Sequence, residues 1–495
     1  MRARYPAPVA QTRLSIERGT DKPLYRQLRE ALEHEIAAGA LDPTRPLPSS
    51  RELARELGVS RNTVNTAYLE LESEGFVEAR PRSGLFVNRD MLHELRHGLP
   101  AAAAAEPVDW SRHLRAAPDA GLPEIAKVRD WQSYPYPFVA GQVDVSSFPR
   151  LPWLRALREA LEPAHLHDSL RDGVDEDDPM LVEELCRHVL PARGIEADPS
   201  QVLVTLGAQQ GLDLLAHALV RPGSVVGVEE PGYLDARRIF LRAGATLRPI
   251  EVDGAGMVPP EDPAGLSLVH LTPSHHSPTN VTLSIARRRR LLTLAAAHDL
   301  LLVEDDYDSE FRYQGSPTPA LKALPDSERV VYLGTFSKFL APGLRLGYLV
   351  AAPELVEELR RLRRYRIRHA SGHTQRAMAL LIANGQYHRT VRRRRTQLAQ
   401  RWATLRDALE AELPWRVEAP PGGVSIWLPG PPGLDCVELA AAALRRGVVV
   451  ERGDIYFTDP ERHRENLRLG FAAITPEAIG PGVRILAGLV RRQLG

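Results

Sequence analysis

Cysteine is almost absent from this chain. Cys186 and Cys436 are the only 2 among 495 residues. They lie far apart and outside any metal-ligand spacing, which excludes a disulfide frame and a zinc site and suits a reducing compartment. No apolar run is long enough for a transmembrane helix. The opening "MRARYPAPVAQTRL" lacks the apolar core of a signal peptide, so a cytoplasmic protein with no membrane partner is expected. Net charge is missing as well, with 63 basic against 63 acidic residues. Only local charge placement could then attract nucleic acid. No GxGxxG follows a strand, and no GxSxG elbow or GK[ST] loop occurs. Dinucleotide binding, α/β-hydrolase chemistry and P-loop hydrolysis thereby lose their usual marks.

What is present divides into parts. The length exceeds one hydrophobic core. "HGLPAAAAAEPVDW" is an Ala/Pro tract without apolar period, so residues 89–135 read as a linker between a small domain, 20–88, and a large one, 136–495. In the small domain Leu24, Leu28, Leu32 and Ile36 recur every four residues, predicting an amphipathic helix closed by Gly39. In "LPSSRELARELGVS" Ser49 and Glu52 have capping-box spacing and Gly58 supplies a turn. Ser60 then caps a third helix with Val64, Tyr68 and Leu71 inward and Arg61, Asn62, Thr63 and Asn65 outward. "GFVEARPRSGLFV" follows as a hairpin wing. Two short helices, a glycine turn and a polar second helix describe a helix-turn-helix. The acids Glu70, Glu72 and Glu74 fall behind the outward face, while Arg45, Arg51, Arg61, Arg80 and Arg82 gather on loop, turn and wing.

The large domain alternates β-branched strands with helical stretches, an α/β pattern. "QVLVTLGAQQGLDLLAHAL" runs from strand through Gly207 into helix, and "SVVGVEEPGYLDARRIFLRAG" repeats the move. "LLLVEDDYDSEF" ends a strand in acids, and "RVVYLGTFSKF" ends one just before Lys338. Ligands of open α/β sheets bind at the carboxyl ends of strands. A lysine there suits a Schiff base with an aldehyde, Arg345 and nearby hydroxyls suit a phosphate, and an aspartate suits a protonated ring nitrogen. Pyridoxal 5′-phosphate (PLP) asks for all of these.

Residues 22–87, with "LPSSRELARELGVSRNTVNTAYLELESEG", resemble the winged-helix domain of the GntR family. The resemblance implies DNA contacts at Arg51, Arg61 and Thr63, with the wing at Gly84. Thr44 stands where that family commonly has glycine, which implies a local turn change. Some 350 residues beyond resemble fold type I aminotransferases, with a small C-terminal α+β subdomain. By that resemblance "GTFSKFLAPGLRLGY" gives Lys338 the Schiff base with PLP and Thr335, Ser337 and Arg345 the phosphate. "LGAQQ" gives a phosphate-cradling turn at Ala208 and Gln209, and "EEPGY" gives Tyr233 stacked on the ring. "VEDDYDSEF" gives Asp305 for the ring nitrogen, with Asp306 as competitor, and Tyr307 for the phenolic oxygen. Ser277 stands where aminotransferases often place asparagine, and "NLRLGFA" gives Arg468 for a ligand carboxylate.

The fusion resembles the MocR subfamily of GntR regulators. It implies a PLP-dependent transcription regulator that takes a small amino-compound effector as an external aldimine. A head-to-tail homodimer on an operator of repeated half-sites is expected. An active aminotransferase and a PLP-sensing regulator of vitamin B6 synthesis remain alternatives. Where relatives carry Tyr-Gly-Asp-Pro-x-Gly, this chain reads "RDGVDEDDPMLV" and lacks that tyrosine. His275 and His276 read either as lining the effector pocket or as loop residues bonded to backbone. Arg392 to Arg395 cover a whole helix circumference, so most are expected to face solvent.

Overall fold

The computed structural model describes residues 16–17, 22–81, 83–91, 108–114, 121–124, 127–316 and 318–495. Arg82 lies outside them. Two compact units meet at Arg115 and Ala116, inside the stretch expected as linker.

In the first unit, α1 (Leu24–Ala37) buries Leu28, Leu32 and Ile36. α2 (Ser50–Leu57) opens on a complete capping box. The Ser49 hydroxyl accepts the Glu52 N–H at 3.3 Å and the Glu52 carboxylate accepts the Ser49 N–H at 3.0 Å, so two orphan donors are satisfied reciprocally. Gly58 closes the helix in the left-handed region. α3 (Arg61–Ser73) starts with the Thr63 N–H donating to Ser60 Oγ at 3.1 Å, and buries Val64, Ala67, Tyr68 and Leu71. β1 (Val77–Arg80) and β2 (Gly84–Val87) pair antiparallel as the wing, with Val77 opposite Val87. At Thr44 the Asp42 carboxylate accepts both the backbone N–H, at 2.9 Å, and the hydroxyl, at 2.7 Å. A side-chain turn thus takes over what a glycine would do by backbone freedom.

In the second unit β3 (Tyr136–Pro137) precedes an eight-stranded sheet. Its strands are β4 (Val202–Thr205), β5 (Val225–Glu230), β6 (Thr246–Asp253), β7 (Gly256–Met257), β8 (Leu266–Leu271), β9 (Leu301–Asp306), β10 (Val330–Thr335) and β11 (Gly347–Val350), in spatial order β4-β11-β10-β9-β8-β5-β6-β7. β6, β5, β8, β9 and β10 run parallel, while β11 is antiparallel to both neighbours. β4 and β10 are buried along their whole length, as expected where helices cover both sheet faces. A smaller sheet holds β12 (Ser425–Pro429), β14 (Glu451–Arg452) and β15 (Asn466–Gly470), and β13 (Val448–Val449) pairs with β3. The helix Pro476–Leu494 packs on the long helix Gln386–Glu412. The expected α/β domain, its smaller α+β part and the winged helix are all present.

The stretch that departs from the Tyr-Gly pattern is an acidic anchor. Asp177 pairs with the buried Arg363 and, at 3.2 Å, with Arg360, while accepting the Val204 N–H at 3.1 Å. Asp178 caps the helix Pro179–Glu184 and pairs with Arg376 at 2.7 Å. Both of these buried carboxylates are committed to structure.

Candidate ligand cavity and nucleic-acid face

The carboxyl ends of β4, β5, β8, β9 and β10 open into a cavity of about 240 Å³. It is lined by every residue expected there: Ala208, Gln209, Tyr233, Ser277, Asp305, Tyr307, Thr335, Ser337, Lys338, Arg345 and Arg468. Lys338 follows β10 by two intervening residues and is half-buried. Burial, then the charges of Arg468 and Lys127, push its ammonium down to about 8. Its Nζ stands 5.9 Å from the centre of the Tyr307 ring. The Tyr307 hydroxyl donates to Asn280 Oδ1 at 3.5 Å.

Asp305 and Asp306 separate by strand alternation. Asp305 faces the cavity, with Oδ2 at 3.6 Å from His270 Nε2 and Oδ1 buried without a hydrogen bond. Asp306 turns to the other face, where Arg193 Nε and the Tyr332 hydroxyl donate to it at 2.8 and 2.7 Å. Burial works to raise the Asp306 carboxyl, and Arg193 and Tyr332 hold it below its ordinary value.

On the opposite wall, Gly207 (φ 84°) turns the chain from β4 into the helix Ala208–Leu219. A Cβ there would stand 3.4 Å from the Arg345 guanidinium, and would adopt a backbone angle that L residues rarely take. Arg345 Nη2 donates to the Leu206 carbonyl at 2.7 Å. The first N–H groups of that helix and Arg345 thus share one corner with Thr335 and Ser337, a setting suited to an anion. Ser337 Oγ is buried there without a partner. Tyr233 donates to Asp235 at 3.1 Å, and the Ser277 N–H donates to Thr272 Oγ1 at 3.0 Å. Arg468, on β15, donates from Nε to Ser425 Oγ at 3.0 Å and from Nη1 to the Tyr456 hydroxyl at 2.8 Å. Nη1 is also 3.4 Å from Glu451, while Nη2 has no protein partner among the described residues.

His275 and His276 do not line the cavity. His275 Nδ1 pairs with Asp308 at 2.8 Å; His276 bonds to Thr279 at 2.7 Å and to the Pro231 carbonyl at 3.0 Å. Burial pushes His276 down to about 3, so it is a neutral loop support. Arg394 is buried, whereas Arg392, Arg393 and Arg395 are exposed. The expected solvated face therefore holds for three of the run, though Arg393 and Arg395 also bond backbone carbonyls of Ser147 and Glu310 at 3.0 and 2.8 Å.

On the first unit, Arg51 and Arg61 are exposed and neither forms an ion pair among the described residues; Arg61 Nε reaches Ser50 Oγ at 3.4 Å. Thr63 is half-buried, its hydroxyl 2.8 Å from Ser60 Oγ, and Gly84 is exposed on the wing. Arg45 and Arg80 are instead paired with Asp42 and Glu78 at 3.6 and 2.6 Å. Glu70 and Glu74 lie against Arg29 of α1, away from this face.

Residues 141–486 match the family described as aminotransferase class I and II, and residues 24–87 match bacterial regulatory proteins of the gntR family. The chain is 40% identical over 472 residues to the HTH-type transcriptional regulator TauR of Rhodobacter capsulatus, covering 94% of this chain and 96% of that one. It is 36% identical to the probable rhizopine catabolism regulatory protein MocR of Rhizobium meliloti, over 78% and 77% of the two chains. The chain belongs to the MocR-type GntR regulators. The pyridoxine biosynthesis regulator PdxR of Corynebacterium glutamicum is likewise 36% identical, over 77% and 78%. Among solved structures, kynurenine aminotransferase of Pyrococcus horikoshii, in complex with PMP, superposes with a TM-score of 0.69 at 26% identity, covering 79% of this chain and 98% of that one. This MocR-type chain is thus a DNA-binding transcription regulator carrying an aminotransferase-like domain, and no helix among its described residues is long and apolar enough to cross a membrane.

Sequence reading missed several cavity residues of this MocR-type regulator: Lys127, Gln142, Asp235, Thr272, Glu451 and Tyr456. Asp235 could have been found, since it lies two residues after Tyr233 and cannot be far from it. Lys127 lay inside the expected linker, and Glu451 and Tyr456 come from a distant strand and turn, where no local signal marks them.

Proposed function

We propose that this regulator holds PLP in the cavity around Lys338 and senses a small amine bearing an acidic group. The single observation that carries the reading is convergence: a lysine with a lowered proton affinity, an unpartnered buried aspartate oxygen and an arginine-flanked helix N-terminus meet in one cavity. These residues fit the cofactor. Lys338 would hold its aldehyde carbon, Asp305 its ring nitrogen and Tyr307 its phenolic oxygen. Tyr233 would lie against the ring and Ser277 beside it. Ala208, Gln209, Thr335, Ser337 and Arg345 would hold its phosphate. PLP bound this way supplies a carbon that reacts reversibly with primary amines. Lys338, with about 8 as its midpoint, carries enough free amine near neutrality to attach it. Arg468 offers Nη2 to the effector's acidic group.

DNA binding is assigned to Arg51, Arg61, Thr63 and the Gly84 wing. The protein is read as a cytoplasmic head-to-tail homodimer on repeated half-sites. Val145, Leu151, Leu154, Leu161, Leu166 and Leu170 are exposed within residues 145–170, apolar surface that a second copy would cover. The relative named for pyridoxine biosynthesis supports a second reading, in which PLP is itself the signal.

The test is borohydride reduction of the PLP-loaded protein followed by peptide mass spectrometry. The label is expected on Lys338, and Lys338→Ala should lose it while retaining its circular dichroism. A label on another lysine of the wild-type protein contradicts the assignment.

A further inference from the structure

The proposed cofactor and effector contacts leave one cation of the cavity wall, Lys127, without a role. Lys127 is exposed and forms no hydrogen bond or ion pair among the described residues. We propose that Lys127 grips the effector's acidic group together with Arg468, and so ties occupancy of the cavity to the segment leading from the winged helix. The inference rests on the reading of the cavity as a PLP and effector site.

Charge balance is the first argument. Arg468 already shares Nη1 with the Glu451 carboxylate at 3.4 Å. A ligand acid placed on Nη2 would put two carboxylates on one guanidinium, and their repulsion disfavours binding unless a further cation stands close. Lys127 lines the same cavity as Glu451 and Arg468. Its position is the second argument. A Cβ on Gly141 (φ 77°) would stand 3.4 Å from Lys338 Nζ and 3.7 Å from Lys127 Nζ, so both ammonium groups converge on one glycine. An effector whose amine reaches Lys338 therefore passes within reach of Lys127. Thirdly, Lys127, Val128 and Trp131 line a smaller recess with Val449, Val450 and Glu451. The segment bearing Lys127 thus lies along the strand bearing Arg468's own counter-ion.

Lys127 lies a short way past the unit boundary at Ala116. A ligand that engages it restrains the chain connecting the cavity to the DNA-binding unit. Effector control follows where that restraint differs between two states of the regulator.

The probes are β-alanine and 4-aminobutanoate, with 3-aminopropan-1-ol and 4-aminobutan-1-ol as partners that keep the amine and lack the acid. In the PLP-loaded full-length protein, calorimetry should show the acids binding more tightly than the alcohols. Lys127→Gln should reduce that preference about tenfold, the loss of one charge-assisted contact, and Lys127→Arg should largely restore it. Deuterium uptake across residues 127–135 should fall when acid binds the wild type, and should not fall in Lys127→Gln at saturating acid. Acids that bind no better than alcohols to the wild type, an unchanged preference in Lys127→Gln, or uptake unaffected by acid each overturn the proposal. Absence of PLP on Lys338 by mass spectrometry would instead take down the cavity reading and this inference together.

Discussion

Burial first, and then the neighbouring cations Arg468 and Lys127, decide the chemistry of Lys338. With its midpoint lowered to about 8, roughly a fifth of the side chain is free amine at pH 7.4, against about a thousandth for an unperturbed lysine. Attachment of PLP to the apo protein should therefore accelerate as pH rises and level off above about 8. Arg468→Ala removes a like charge, so the midpoint should move upward and attachment at pH 7.4 should slow. Rates followed by absorbance across pH check both, and a profile centred near 10.5, the ordinary lysine value, contradicts the stated environment. At this scale the sequence told the reader which residue types to expect but not always which copy. Asp305 and Asp306 are adjacent, and strand alternation guarantees only that they face opposite ways. Which one meets the cavity depends on how β9 lies in the sheet, with Arg193 and Tyr332 supplied from elsewhere to take Asp306. Lys127 and Glu451 were illegible for a related reason: each is an ordinary surface type until the fold brings it to the cavity.

The elements were more legible than the residues that they position. The Ser49–Glu52 capping box, the Ser60 cap and the left-handed Gly58 are local chemistry, and the backbone follows them. The alternation of β-branched strands with helices placed the strand ends, where the cavity opens. Periodicity said less about Arg392 to Arg395, because the cost of burying Arg394 depends on what the long helix packs against. Arg394 reaches the Asp144 carbonyl at 3.3 Å, and burial pushes its guanidinium down to about 10. The prediction at this scale concerns α3. Arg61 is exposed at its first turn and forms no ion pair among the described residues. Arg61→Ala should weaken binding to cognate DNA by about 1–3 kcal/mol if it reads a base edge. Fluorescence anisotropy at several salt concentrations checks this. An unchanged affinity, or a loss that is equal on unrelated DNA, would show that Arg61 reads no sequence.

Across the whole molecule, each motif is modest by itself, and it is their order along one chain that makes the family readable. A winged helix followed by four strand-end motifs and the strand bearing Arg468 leaves few alternatives, and the relatives spanning nearly the full chain agree. What order cannot convey is how occupancy of the cavity reaches DNA, because that depends on differential contacts. The central claim is that an acidic amino compound held by Arg468 changes DNA binding through the PLP site. The most direct measurement is the affinity of PLP-loaded wild type and Arg468→Ala for the DNA upstream of its own gene, each with and without the amino acids above. The wild type should shift its affinity on adding an amino acid. Arg468→Ala should keep its bound PLP and its basal DNA affinity, yet show no shift. A variant that responds as the wild type does would contradict the account.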